Sequence, residues 1–281
     1  MKLSKVILLI QLSSFLVFIG RAYQFFFFDT PFQAFVSNGS PVIPICAVFL
    51  LLAALTSILW FEINLEKVKK GVMIIGITIL ILIGLGLVKE KNYDVLQFFE
   101  LTIQLACPLS LFFLSRQHPQ PKFKLIFALK CAIALTFIAH GLFALGLPYL
   151  PDHFIDMTMS ILPIVKRQAS QLLLAAGLFD ILASILLFFP KTVRYALFYM
   201  IIWGCLTALA RIVSSLDSQF FLESLHNSAY LTIYRLPHGL LPLAVLMLLL
   251  QRSKVKPVSL ITPAVFLSKA SIPYFIPFKS E

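Results

Sequence analysis

The chain alternates between long apolar runs and short polar or proline-marked breaks. A helix that crosses a bilayer needs about 20 mostly apolar residues. Eight runs approach that length: residues 6–27, 41–61, 71–88, 94–114, 125–147, 169–189, 195–213 and 237–251. The breaks carry turn or helix-stop signals and include Asn38 to Pro41, Lys67 to Lys70, His118 to Pro121 and Phe189 to Lys191. The pattern predicts an all-α, polytopic membrane helix bundle of about eight transmembrane helices, or seven if the short last run is re-entrant.

Composition supports the same class. Of the 281 residues, 60% are apolar and only 12% are charged, whereas a soluble domain has about 25% charged residues. The net charge of +11 raises the question of nucleic-acid binding, since basic proteins often bind phosphates. The basic residues, however, are spread between the apolar runs and form no dense patch on a polar face. We therefore expect the lipid bilayer as the main partner, and no nucleic acid.

The distribution of basic residues predicts an orientation. If the eight runs cross in alternation, 15 of the 23 Lys and Arg residues fall on the side of both termini and 7 fall on the other side. Cytoplasmic loops are the ones enriched in Lys and Arg, so we expect a plasma (inner) membrane protein with both termini in the cytoplasm. The first run could instead be a cleaved signal peptide. The absence of a small-x-small site after Gly20 favours an uncleaved helix.

The predicted outer loops contain three segments that resemble short amphipathic helices on the outer leaflet. Thr30 and Pro31 form a cap and first-turn pair, and Asp152 and Asp217 are candidate caps of the other two segments. The residues after 251 contain four prolines, which interrupt helices. We expect a transmembrane domain over 1–251 and an interfacial or disordered cytoplasmic tail over 252–281.

A weak internal similarity suggests two four-helix repeats, residues 1–116 and 125–251. Phe18 to Arg21, at the end of the first run, has a counterpart in Phe137 to His140 of the fifth run. Each is followed by an outer loop with an Asp-containing segment. Four crossings return the chain to its starting side, so such a repeat would preserve orientation.

Two short motifs resemble a known family. The stretch from Ala139 to Gly146 resembles the His-Gly-rich helix of DoxX/DoxD-like membrane proteins, and Gly177 to Ile181 resembles the Gly-x-x-Asp pattern of that family. The resemblance covers mainly residues 125–250. It implies a four-helix membrane unit, in a family where some members are associated with quinone reduction or with sulfur and thiol oxidation. This chain differs from that family in having a second block of four apolar runs.

Ionisable groups in the hydrocarbon region cost about 2.5–3.5 kcal/mol each at a helix centre, so they usually have a partner or a role. Asp180 lies near the middle of its run, where it is either a structural carboxyl, hydrogen-bonded or protonated, or a proton or ligand site. His140 either donates a hydrogen bond across a helix interface or handles a proton or ligand, because histidine titrates near neutrality. No second His follows at i+4 to suggest a metal site.

Basic residues also gather at the predicted outer ends of the runs. Any one of Arg21, Arg211, Arg235 and His238 could be a side chain that reaches the headgroups. Together they indicate anionic partners, either acidic side chains or a ligand. The sequence therefore predicts a ligand pocket on the outer side, lined by Arg21, His140, Asp180, Arg211 and His238.

Three functions remain open at this point. The first is a DoxX-like redox subunit, or one associated with a quinone or lipid, whose polar pocket faces outward. The second is a small-molecule transporter in which Asp180 couples transport to protons. The third is a membrane scaffold that docks a partner membrane or periplasmic protein. No catalytic residue or cofactor is predicted, because the soluble-enzyme motifs are missing from the sequence.

Overall fold

The computed structural model describes residues 5–37, 39–114 and 123–254, with side chains through Gln251. Every regular element in those ranges is helical. The helices are α1 (Lys5–Phe27), a 3-10 helix (Pro31–Ala34), α2 (Val42–Ile58), α3 (Glu66–Glu90), α4 (Leu96–Phe99), α5 (Thr102–Leu111), α6 (Phe123–Ala144), α7 (Asp152–Ile161), α8 (Lys166–Leu186), α9 (Val193–Val213), α10 (Phe221–Ile233) and α11 (Pro237–Lys254).

All eight predicted runs contain helix, and the predicted membrane helix bundle is confirmed. Within the described residues, six stretches are long and apolar enough to cross a membrane. They are α1, α3, α6, α8, α9 and the stretch Phe221–Gln251, which holds α10 and α11. The apolar helices α2 and α5 are shorter, with 17 and 10 residues. The chain is thus a multi-pass helical membrane protein.

The bundle has a buried centre and a lipid-type surface. Helix α1 packs against α2, α5, α10 and α11, while α6 packs against α5, α8 and α11. Helices α8 and α9 lie at the periphery, where Leu178, Phe179 and Phe198 are more than half exposed. A soluble protein rarely exposes so much contiguous apolar surface. In a bilayer this surface contacts lipid.

Polar side chains on the buried face of α1 satisfy backbone groups of other helices. The side-chain amide of Gln11 donates to the carbonyls of Ser57 and Ile58, 3.1 and 2.7 Å away. Those carbonyls end α2, and the last carbonyls of a helix have no partner within it. The contact therefore explains how a Gln is accommodated in an apolar helix.

The predicted run 94–114 is wrong as a continuous helix, because α4 and α5 are separated by a turn at Glu100 and Leu101. Backbone groups freed inside a bilayer need new partners. The carbonyl of Phe99 accepts from the hydroxyls of Thr102 and Thr136, at 2.8 and 3.3 Å. The Thr136 hydroxyl, which comes from α6, also accepts from the Ile103 amide. The break therefore depends on a neighbouring helix.

Three smaller predictions also need correction. Lys67 to Lys70 form no break, because they lie in the first turns of α3. Asp152 is the first residue of α7 and does not cap it, since the N-cap is Pro151. Asp217 lies before α10 and accepts from the Gln219 amide. All three loop segments are nevertheless helical, as predicted. The break at 118–121 and the tail from 255 onward lie outside the described residues.

Close contacts between α6 and α8 bring the stretches 139–146 and 177–181 together. A Cβ atom added to Gly141 would lie 2.8 Å from the carbonyl oxygen of Gly177, and one added to Gly177 would lie 2.6 Å from the carbonyl oxygen of Gly141. Both distances are too short for any other residue type, so the two glycines allow α6 and α8 to touch backbone to backbone. The contact places His140 and Asp180 on the walls of one cavity.

Candidate functional site

The five predicted site residues lie around two adjoining spaces. The inner cavity has a volume of about 70 Å³ and is lined by His140, Asp180, Arg211 and His238, together with apolar side chains. The vestibule has a volume of about 460 Å³ and is lined by Arg21 and Arg211. Arg211, Arg235 and Phe154 line both spaces. The structure thus brings the predicted residues together, in two adjoining compartments instead of one pocket.

Arg21 is held firmly in the vestibule wall. It is only 3% exposed, and its Nε and Nη2 donate to the Gln104 side-chain oxygen at 3.2 and 2.9 Å. Its Nη1 donates to the Gln24 side-chain oxygen at 2.8 Å, and its Cζ lies 3.8 Å from the centre of the Tyr234 ring. None of these partners is an acid, so the positive charge of Arg21 is solvated but not neutralised.

Glu100 is the acid at the centre of the site, and it lies at the break between α4 and α5. One carboxylate oxygen is 3.2 Å from Nδ1 of His140, and the other is 3.9 Å from a guanidinium nitrogen of Arg235. Because a carboxylate only accepts, Nδ1 of His140 carries the donated proton. In the neutral ring this leaves Nε2 of His140 as an acceptor.

The Nδ1 atom of His238 is also a hydrogen-bond donor, and its partner is a backbone carbonyl. Its Nδ1 lies 2.7 Å from the Arg235 carbonyl oxygen, which can only accept, so Nδ1 is the donor. Its Nε2 is buried and has no hydrogen-bond partner among the described residues. The rings of His140 and His238 are 5.6 Å apart between centroids. Two imidazoles with occupied Nδ1 atoms therefore line one wall of the inner cavity.

Asp180 forms a polar part of the wall of the inner cavity. It is 3% exposed, and its Oδ1 accepts from the Tyr199 hydroxyl at 2.8 Å. That contact joins α8 to α9. The hydrogen bond agrees with the structural interpretation of Asp180, while its position on the cavity wall also allows a ligand role.

His153 is a titratable group on α7, in the loop region before α8. Partial burial of the ring and, after it, the positive charges of Arg211 and Arg235 lower its pKa to about 4. Glu100 acts in the opposite sense but is outweighed. The two arginines that contribute to the shift also line the vestibule.

Several residues of the site were not among the predicted lining residues. Gln24, Gln104 and Tyr199 carry no charge, so a search for ionisable groups passes over them. Only Gln24 carries a signal in its spacing, because it lies three residues after Arg21 and therefore on the same face of α1.

The site contains no metal-type cluster within the described residues: no three His, Cys, Asp or Glu side chains are grouped to hold an ion. The geometry defines a polytopic helical membrane protein with a buried polar site at one end of the bundle. No protein-family model, curated protein or solved structure matches the chain. The site must therefore be interpreted from its own chemistry.

Proposed function

We propose that this protein is an inner-membrane subunit that binds a lipophilic small molecule, a quinone or a lipid, through a polar pocket on the outer side. The observation that carries the proposal is the pair of unpartnered atoms at the inner cavity. His238 Nε2 and Arg235 Nε are both buried and without a hydrogen-bond partner among the described residues. Leaving such groups unpaired costs about 1–3 kcal/mol each, which a ligand with hydrogen-bonding groups would recover.

The volumes of the two spaces support a ligand with a polar head. Pockets for small molecules usually measure about 300–1,000 Å³, and the vestibule, at about 460 Å³, falls in this range. The inner cavity, at about 70 Å³, holds only two or three water-sized groups. We infer that most of the head of the ligand occupies the vestibule and that only a small part of it, with a donor for His238 Nε2, enters the inner cavity.

The DoxX-like motifs support an extension of the proposal to a redox system. Both motifs contribute a residue to the inner cavity, His140 from the first and Asp180 from the second. On this basis we propose that the bound molecule takes part in quinone or thiol oxidation, which is carried out together with partner proteins.

The test is to purify the protein in a mild detergent, extract it with organic solvent and identify the retained lipophiles by mass spectrometry. We expect one species in near-stoichiometric amount. Ala176 lines the inner cavity and Ala175 does not, so Ala176→Leu should lose the species and the matched control Ala175→Leu should keep it. Equal retention in both variants, or only bulk membrane lipids in the wild type, would refute the proposal.

One observation favours transport as a second candidate. Transporters often bind their substrates at broken helices, and Glu100 lies at the break between α4 and α5. In this case Asp180 would be the coupling carboxylate, and uptake of the substrate into vesicles would be driven by a proton gradient. Proton-driven uptake that persists in Asp180→Asn would exclude this role for Asp180.

A further inference from the structure

Arg211 occupies a junction between three spaces. It lies in the last turn of α9 and lines the inner cavity, the vestibule and a third pocket of about 330 Å³ beside α7. Among the described residues its guanidinium has no hydrogen bond or ion pair. Glu100 is engaged by His140 and Arg235. Asp156, which shares the third pocket, forms no ion pair with Arg211.

The vestibule has more positive than negative side chains. Its cationic side chains are Arg21, Lys91, Arg211 and Arg235, and its carboxylates are Glu100 and Asp152. His153, also in the wall, is neutral near pH 7 because its pKa is lowered to about 4. Clefts lined by one sign of charge attract ligands of the opposite sign.

A second observation concerns Arg235. Arg235 Nε is a buried donor that has no partner in the described part of the chain, and Arg235 lines the vestibule beside Arg211. Arginine presents its donors in a fixed fork that matches two oxygens of a carboxylate or phosphate. Two neighbouring guanidinium groups with unused donors thus suit an oxyanion better than a neutral group.

Building on the proposed function, we propose that the ligand is an acidic amphiphile. Its phosphate or carboxylate head lies in the vestibule and pairs with Arg211, with Arg235 donating from the other side. A phosphate head in its monoanionic form also donates its P–OH to His238 Nε2, and the first carbons of the hydrocarbon part lie in the inner cavity beside Phe137, Leu173 and Trp203. The rest runs between α8 and α9, both of which line the inner cavity, towards the lipid-type surface. A neutral quinone would leave Arg211 without a counter-ion.

The experiment compares two probes that differ only in the head. Purified protein in a maltoside detergent is titrated with dodecyl phosphate and with dodecanol, and with inorganic phosphate as a third arm, by calorimetry. A hydrogen bond to a charged group is worth about 1.5–3 kcal/mol, and 1.4 kcal/mol corresponds to a tenfold change in affinity. We therefore expect dodecyl phosphate to bind at least about tenfold more tightly than dodecanol.

Variants at Arg211 test whether this residue causes the preference for dodecyl phosphate over dodecanol. Arg211→Gln should weaken dodecyl phosphate binding by about tenfold or more and leave dodecanol binding unchanged, while Arg211→Lys should retain part of the preference. The matched control is Arg167→Gln, because Arg167 is an exposed residue in the first turn of α8 that lines neither space. It should behave as wild type.

The outcomes distinguish the proposal of an acidic head from the proposal that the protein binds a lipophile. If dodecanol binds as tightly as dodecyl phosphate, or if Arg211→Gln keeps the preference, the acidic head is refuted while lipophile binding stands. If inorganic phosphate binds as tightly as dodecyl phosphate, the anion site stands and the lipophile is refuted. If none of the three probes binds, both fail.

Discussion

The Nδ1 atom of His238 lies 2.7 Å from the carbonyl oxygen of Arg235, and this contact fixes the tautomer of a ring at the wall of the inner cavity. The carbonyl belongs to the turn at 234–236, just before α11 begins at Pro237. The proton on Nδ1 leaves Nε2 as an unpartnered acceptor. One side of the ring therefore stabilises the helix start, and the other is available to a ligand.

Substitutions at His238 should separate these two tasks. Asn can replace the Nδ1 donor but not the Nε2 acceptor, whereas Leu can replace neither. We expect His238→Asn to keep the wild-type melting temperature in detergent. His238→Leu should lose about 0.5–1.5 kcal/mol of stability, because the Arg235 carbonyl loses the imidazole donor and keeps only the His238 amide. Both should lose the retained lipophile, as measured by extraction and mass spectrometry. Equal melting temperatures for Asn and Leu would contradict the assigned hydrogen bond.

Removing the charge of Glu100 should destabilise the site strongly. Glu100→Gln leaves Arg235 without its acidic partner and weakens the acceptor of the His140 proton. Breaking a buried ion pair by removing one partner costs about 3–5 kcal/mol. We expect a clear fall in melting temperature by light scattering or intrinsic fluorescence. Asp152→Asn is the control, since Asp152 is an exposed acid in the same vestibule and should cause little change.

The hydrogen bond between Tyr199 and Asp180 gives a milder prediction. Tyr199→Phe removes the hydroxyl that donates to Oδ1 of Asp180 and leaves the ring in place. Loss of a hydrogen bond costs about 0.5–1.5 kcal/mol between neutral groups and about 1.5–3 kcal/mol when one partner is charged. The matched control is Tyr195→Phe, because Tyr195 is 78% exposed on the same helix. Equal melting temperatures for the two variants would show that the Asp180 contact contributes nothing to stability.

The membrane class and most helices could be predicted because bilayers impose long apolar runs, as in α1 and α6. The break at Glu100 could not, because neither Gly nor Pro marks it. Its backbone groups are satisfied by Thr136, which is 36 residues further along the chain. The pairing of Glu100 with His140 likewise depends on how α5 packs against α6. The orientation in the membrane and the two-repeat hypothesis stay predictions.

The low pKa of His153 predicts a dependence of stability on pH. The folded-state pKa is about 4, below the ordinary value of about 6.5, so the unfolded chain binds the proton more readily. The contribution of His153 to the free energy of unfolding should be constant above about pH 6.5. As the pH falls from 6.5 towards 4, this contribution should decrease and the protein should become less stable. The size of this effect of His153 on stability is limited by solvent screening, since the residue is exposed. In thermal melts at a series of pH values, His153→Gln should flatten this part of the profile. An unchanged profile would contradict the assignment.

The wall of the vestibule at Pro31 depends on Gly86. A Cβ atom at Gly86 would lie 2.0 Å from the Pro31 carbonyl oxygen, so Gly86→Ala must push the 3-10 helix away from α3. Overpacking of this kind costs about 1–3 kcal/mol. Because Pro31 lines the vestibule, we also expect weaker binding of dodecyl phosphate by calorimetry. At Gly71, in the same helix, an added Cβ meets nothing within 4 Å, and Gly71→Ala should raise stability by about 0.5–1 kcal/mol. A Gly86→Ala variant with wild-type stability and binding would show that the 3-10 helix does not set the shape of the vestibule.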